Sequence, residues 1–201
     1  MNRETRKLRI DGPAGLIEAE SDEPAQGCRG VAVLCHPHPL HGGTMGNKVV
    51  QTLARAFVQM GYRAVRFNFR GVGASQGQWD DGHGEVDDAL AVIASQRLPD
   101  LPLALGGFSF GGFVAAQAAV ATTQVERLVL VAPATSRFSL PHVAPDTVVV
   151  QGEADEVVPL SATFDWARPQ SLPVIVLPGV GHFFHGQLTL LKSQVLQAWH
   201  H

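Results

Sequence analysis

The sequence predicts an α/β fold built on a mostly parallel sheet, and three observations carry that prediction. Short β-rich apolar runs alternate with longer stretches of helical period. Those runs are apolar throughout and bounded by Gly, Pro or Asp, as strands buried on both faces are. The 201 residues suit one domain, 1–201, large enough to bury an apolar core. Helices are expected on both faces of the sheet, with an antiparallel hairpin at one edge.

In chain order, Leu8–Ile10 and Leu16–Ala19, split by Asp-Gly-Pro-Ala-Gly, read as the edge hairpin. The parallel strands are expected at Val31–Cys35, Ala64–Phe67, Leu101–Leu105, Leu128–Val131, Thr147–Val150 and Val174–Leu177. Helical stretches fall between and after them, at Asn47–Met60, Glu85–Gln96, Phe110–Ala121, Ser161–Trp166 and Leu188–Trp199. Val49, Leu53, Ala56, Phe57 and Met60 share one face of the first, and Leu188, Leu191, Val195, Leu196 and Trp199 one face of the last. No repeat, linker or low-complexity segment interrupts the pattern.

Composition narrows the function. Hydrophobic residues make up 45% and charged residues only 16%, which argues against disorder. The net charge of −3 and the lack of any Lys/Arg run longer than two speak against a nucleic-acid partner. Apolar runs are too short for a membrane span, and the polar start Met-Asn-Arg-Glu-Thr-Arg is not a signal peptide. Two cysteines, Cys28 and Cys35, make no disulfide framework. A cytoplasmic protein is expected, with monomer and homodimer both open. The terminal His200-His201 reads either as native or as the stub of a tag.

In parallel sheets chemistry gathers at the carboxyl ends of the strands. The expected strand Leu101–Leu105 runs into Gly106-Gly107-Phe108-Ser109-Phe110-Gly111-Gly112 and then a helix. A Gly-x-Ser-x-Gly match alone is weak, but strand, sharp turn and helix are the context it needs. A nucleophile at the apex of such a turn holds a strained backbone, and small residues two before and two after let strand and helix approach. Gly107 and Gly111 fill those places, so Ser109 is the candidate nucleophile. A Gly-rich helix start without chemistry is the bland alternative.

On these residues, together with the His36-Pro37-His38-Pro39 segment, the sequence resembles the α/β-hydrolase superfamily, and within it small lidless bacterial serine hydrolases. The likeness runs over nearly the whole chain. It implies an α/β-hydrolase fold and a triad in the order Ser, acid, His. For the acid, the loop Gln151-Gly152-Glu153-Ala154-Asp155-Glu156-Val157-Val158 offers three carboxylates. Asp155 matches the family pattern Gly-x-x-Asp-x-x-Val, whereas Glu153 and Glu156 suit helix capping or solvent. For the base, Gly181-His182 follows the last strand, where the family places it. The rival His185 reads as a histidine at a helix start. Phe183 and Phe184 are expected to pack beneath His182, and Phe183 to line the pocket.

Acyl transfer also needs two donors aimed at the developing oxyanion. The resemblance implies the Phe110 N–H as one and an N–H of the first loop as the other. Pro37 and Pro39 have no N–H, which leaves His38 and Leu40. His36 is expected to hold the loop by hydrogen bonds, and His38 or His41, with Phe138, to line the pocket. The spacing of His36, His38 and His41 also permits a zinc reading. Leu40 stands where the metal motif carries an Asp, and a serine elbow with its acid and base needs no metal. Neither metal nor cofactor is expected.

Asn68-Phe69-Arg70-Gly71-Val72-Gly73-Ala74-Ser75 resembles the family's Asp-x-Arg-Gly-x-Gly-x-Ser turn, with Asn68 in place of Asp. Arg70 reads as a structural clamp, and Asp87 and Asp88 as ordinary helix charges. The glycines are misplaced for a dinucleotide cradle. Ala132–Asp146, with three prolines, is too short for a lid domain. The resulting expectation is a carboxylesterase for small to medium esters, with a thioesterase, lactonase or short-peptide hydrolase on the same triad as alternatives. A non-catalytic binding protein on this fold is the rival from another class, and a metal-dependent hydrolase is the third choice.

Overall fold

A computed structural model describes residues 5–199. The termini, including His200 and His201, lie outside the described residues. The chain begins with a hairpin, β1 (Thr5–Gly12) and β2 (Gly15–Asp22), and continues through β3 (Gly30–Cys35), α1 (Lys48–Gln59) and β4 (Tyr62–Phe67). It then forms α2 (His83–Gln96), β5 (Leu103–Phe108), α3 (Phe110–Ala121) and β6 (Val125–Val131). Last come β7 (Val148–Gly152), α4 (Leu160–Ala167), β8 (Ile175–Leu177) and α5 (Leu188–Trp199).

The eight strands form one sheet in the order β1-β2-β4-β3-β5-β6-β7-β8. β1 and β2 pair antiparallel, as do β2 and β4, and the remaining pairs are parallel. The expected edge hairpin is present and longer than its apolar residues suggest, because the Gly12–Gly15 pair closes it tightly.

Each helix forms for a local reason. Asn47 caps α1, its side-chain oxygen accepting from the Val49 N–H (2.9 Å). Val49, Val50, Leu53, Ala56 and Phe57 then fall on the buried side. Glu85 reaches back from the first turn of α2 to accept from the Gly82 N–H (2.8 Å) and the Asp80 N–H (3.1 Å). α3 is apolar nearly all round and buried over most of its length. α1 and α5 cover one face of the sheet, where Leu34, Phe57, Phe108 and Leu191 are fully buried. α2, α3 and α4 contribute to the other face, with Phe67, Phe69, Val92 and Val114. Burying a side chain the size of Phe57 contributes about 1.5–3 kcal/mol.

Two expectations need correction. β5 starts at Leu103 rather than Leu101, because Pro102 has no N–H for the ladder and Leu101 turns back on the Leu98 carbonyl. At its other end β5 does not stop at Leu105. Gly106 and Gly107 pair with Leu34 and Cys35 of β3, and Phe108 with Val131 of β6. The turn is confined to Ser109. Among the described residues no helix is long and apolar enough to cross a membrane.

The clamp expected at Arg70 is there. Its guanidinium donates to both carboxylate oxygens of buried Asp88 (3.1 and 2.8 Å), and its N–H to the same carboxylate (2.9 Å). The β4–α2 loop is thereby fixed to the second turn of α2. Asn68 ties that loop onward, accepting from the Met45 N–H (2.9 Å) and donating to Glu18 (2.7 Å).

Candidate active site

Ser109 joins β5 to α3 with φ +56° and ψ −117°, a conformation that costs a non-glycine residue about 1–3 kcal/mol. Backbone bonds hold it there. Its N–H donates to the Val131 carbonyl (2.9 Å), and its own carbonyl accepts from Gly112 (2.9 Å) and Ala134 (3.1 Å). The flanking glycines are there for close approach. A Cβ on Gly107 would stand 2.0 Å from the Gly111 carbonyl oxygen, and one on Gly111 2.2 Å from that of Cys35. The helix start is thus pressed against the end of β3, whose loop carries the histidines.

The structure brings Ser109, Asp155 and His182 together from the ends of β5, β7 and β8, and all three are buried. His182 Nε2 lies 3.1 Å from the Ser109 Oγ, and its Nδ1 lies 2.7 Å from Asp155 Oδ2. A carboxylate can only accept, so Nδ1 carries the proton and Nε2 presents its lone pair to the serine hydroxyl. Asp155 is fully engaged. Its Oδ1 accepts from the N–H groups of Val157 (2.9 Å) and Val158 (2.7 Å), and its Oδ2 also accepts from Gln151 Nε2 (2.9 Å). Gln151 is held in turn by the Thr163 hydroxyl, which donates to its Oε1 (3.1 Å).

Acid and base loops are stitched together: Ala154 N–H donates to the Val180 carbonyl (3.0 Å) and Glu153 N–H to that of Leu177 (3.0 Å). Glu153 does not cap the following helix; its carboxylate accepts from the Gly179 N–H (2.8 Å). Glu156 faces solvent. His185 is exposed, its ring beside Phe183 (5.7 Å). The support expected beneath His182 from Phe183 and Phe184 is not what the structure shows, because Phe184 faces Phe108 instead (6.5 Å). Phe184 is buried, whereas Phe183 is 51% exposed and meets the imidazole edge-on. The ring packed against His182 is Phe108, at 4.9 Å.

The first loop behaves differently from the acid loop. His36 is buried, its Nε2 accepting from the Phe69 N–H (3.1 Å) and its Nδ1 donating to the Pro37 carbonyl (2.7 Å). Burial holds its pKa down to about 4, so the ring is neutral. The loop is therefore anchored as the sequence suggests, and His36 is turned away from the other two histidines' task. His38 and His41 stack on one another with centroids 4.5 Å apart. Among the described residues, no three His, Cys, Asp or Glu side chains form a group that could hold a metal.

No backbone acceptor among the described residues engages the N–H of His38 or of Leu40. The Phe110 N–H opens α3 and has no intrahelical partner. The His38 ring stands 5.1 Å from that of Phe110, while the Leu40 side chain points to solvent (65% exposed). Phe138 closes the same side, 5.2 Å from Phe110. Sequence reasoning missed two residues here. Trp79 contacts both His38 (4.6 Å) and Phe110 (5.1 Å), and Gln151 braces the acid. A cavity of about 520 Å³ lies at the amino ends of β7 and β8, lined by Arg127, Val148 and Ile175, and holds none of these residues.

Comparison with known proteins places the chain in a family. The family model described as serine aminopeptidase, S33, matches residues 38–143. An uncharacterized protein of Rickettsia prowazekii is 31% identical over 194 residues, covering 89% of this chain and 82% of that one. The structure of an α/β serine hydrolase homologue from Coxiella burnetii superposes with a TM-score of 0.89 at 41% identity, over 98% of this chain and 97% of the other. An α/β serine hydrolase without lid from Xanthomonas campestris gives the same TM-score at 38% identity, over 98% and 94%. The connection from β6 to β7 likewise contains no helix. By family model, relative and fold together, the chain belongs to the α/β-hydrolase superfamily, among its lidless serine hydrolases.

Proposed function

We propose that the protein is a carboxylesterase acting on small to medium esters through an acyl-enzyme on Ser109. The observation that carries the reading is the buried relay of Ser109 Oγ, His182 and Asp155, at 3.1 and 2.7 Å, on a strained elbow. His182 Nε2 takes the hydroxyl proton as Oγ attacks the ester carbonyl. It then returns the proton to the leaving alkoxide as the tetrahedral intermediate collapses. Water, deprotonated by the same nitrogen, attacks the acyl-enzyme to give the acid and restore the serine. Asp155 fixes the tautomer and stabilises the imidazolium that forms.

The tetrahedral oxyanion sits between the N–H of Phe110 and that of His38. His38 is favoured over Leu40 because its ring packs on Phe110 while Leu40 faces solvent. Both donors are free of competing acceptors, as donors to a developing charge must be. The open, lidless rim, with His41, Phe138 and Phe183 around it, suits substrates of limited size. Thioesters, lactones and short peptides would be opened by the same chemistry.

Ser109→Ala tests the reading. Hydrolysis of p-nitrophenyl acetate by the purified protein should fall by about 10³-fold or more, with the circular dichroism spectrum unchanged. A fluorophosphonate probe should label the parent protein at Ser109 and leave the variant unlabelled. Turnover that survives the substitution would remove Ser109 from the mechanism.

A further inference from the structure

One wall of this site is positively charged and unpaired. The turn Ala134–Phe138 hangs from the elbow itself: the Ala134 N–H donates to the Ser109 carbonyl (3.1 Å). The N–H groups of Arg137 (3.2 Å) and Phe138 (3.1 Å) donate in turn to the Ala134 carbonyl. Arg137 is exposed, and its guanidinium makes no ion pair or hydrogen bond with any described residue. The next residue, Phe138, sets its ring 6.3 Å from that of half-buried His38, whose Nδ1 is shut off from solvent without a partner.

Burial first, then the charges of His41 and Arg137, hold the His38 pKa below its usual value. The imidazole is therefore neutral near pH 7, and Arg137 is the permanent charge. A buried N–H without an acceptor is less tolerable than a buried lone pair, so the proton belongs on Nε2, where it can be donated to a ligand. The nearby acids have partners already. Asp80 lies 3.8 Å from Arg70, Asp81 accepts from Trp79 (3.0 Å), and Glu85 caps α2. A planar guanidinium beside imidazole donors at an aromatic wall is a receptor for a planar anion.

Resting on the ester-hydrolase reading, we propose that the substrate is an ester carrying a carboxylate, bound by Arg137 together with the His38–His41 pair. The carboxylate can belong to the acyl part or to the alcohol part, and two substrate pairs distinguish them. One pair is 4-nitrophenyl butyrate against the 4-nitrophenyl monoester of adipic acid. The other is phenyl acetate against 4-acetoxybenzoate.

In one of the two pairs, the charged-to-neutral ratio of kcat/KM should be about tenfold higher in the parent protein than in Arg137→Gln, as for a charge-assisted contact at a partly exposed site. Arg137→Lys should recover part of the ratio, and added salt should lower it. An unchanged ratio in both pairs overturns the proposal. If the parent turns over none of the four esters, the ester reading fails by itself. Binding of adipate and of 4-hydroxybenzoate to Ser109→Ala protein then decides this one. Binding lost in Ser109→Ala/Arg137→Gln upholds it, and binding indifferent to Arg137 overturns it.

Discussion

The two halves of the site differ in how fully their polar groups are used. On the acid–base side every oxygen of Asp155 is taken twice, by Val157, Val158, Gln151 and His182. On the opposite side the N–H groups of Phe110 and His38 and the His38 ring have no described partner. The first half is complete without a ligand, and the second has donors left over. Buried polar groups normally find partners, and on the proposed reading a substrate supplies them here. On that reading one half is machinery and the other a receptor.

The largest expected effect probes the complete half. In Asp155→Asn the amide has one oxygen for four donors, and either the backbone pair or His182 Nδ1 goes unmatched. A fall in kcat of about 10³–10⁴-fold is expected on p-nitrophenyl acetate. A loss below tenfold would break the contrast, since the saturated carboxylate would then be architectural.

Next comes the anchor of the open half. His36 has a folded-state pKa of about 4 against 6.5 for a free histidine. Between those values the unfolded chain binds a proton that the folded chain does not, so stability climbs with pH across the window. Its contribution is present in full above pH 6.5 and lost as pH falls through 4. Urea unfolding at pH 7 and near pH 4 should show the parent losing about 3 kcal/mol more than His36→Gln does. Equal losses would mean that the loop is not pinned by a neutral imidazole.

The smallest effect sharpens the boundary between the halves. Gln151→Leu removes one of the four donors to Asp155 and leaves the Thr163 hydroxyl without its Oε1 acceptor. A drop of about 3- to 10-fold in kcat with about 1–2 kcal/mol of stability is expected. An unaltered kcat would show that two backbone donors suffice to orient the acid.

Much of this was legible in the sequence for local reasons. The strand-to-helix elbow at Ser109 is a contiguous segment read from its own spacing, and the resemblance it supports points to the contiguous Asp155 loop and Gly181-His182. What escaped was non-local or hung on which way a side chain points. Trp79 sits in a loop that reads only as a delay before α2, and nothing in the sequence shows that this loop folds across to His38. Phe183 and Phe184 are consecutive in a tight turn, so they diverge, and only Phe184 is buried. Gln151 left one signal, a polar residue ending the apolar run Val148–Val150 in a fully buried strand. Gly106 and Gly107 mimic a turn because glycine serves both turns and close approach, and the ladder resolves the ambiguity.

The hydrogen bond from Ala134 to the Ser109 carbonyl makes the β6–β7 connection a short route by which added sequence can reach Ser109. Ser136, Arg137 and Ser139 are exposed just beyond that bond. Extra residues spliced there would disturb little of the sheet yet arrive close to Ser109. A library varying only the length and composition of this connection should therefore change what the protein accepts before it changes whether the protein folds.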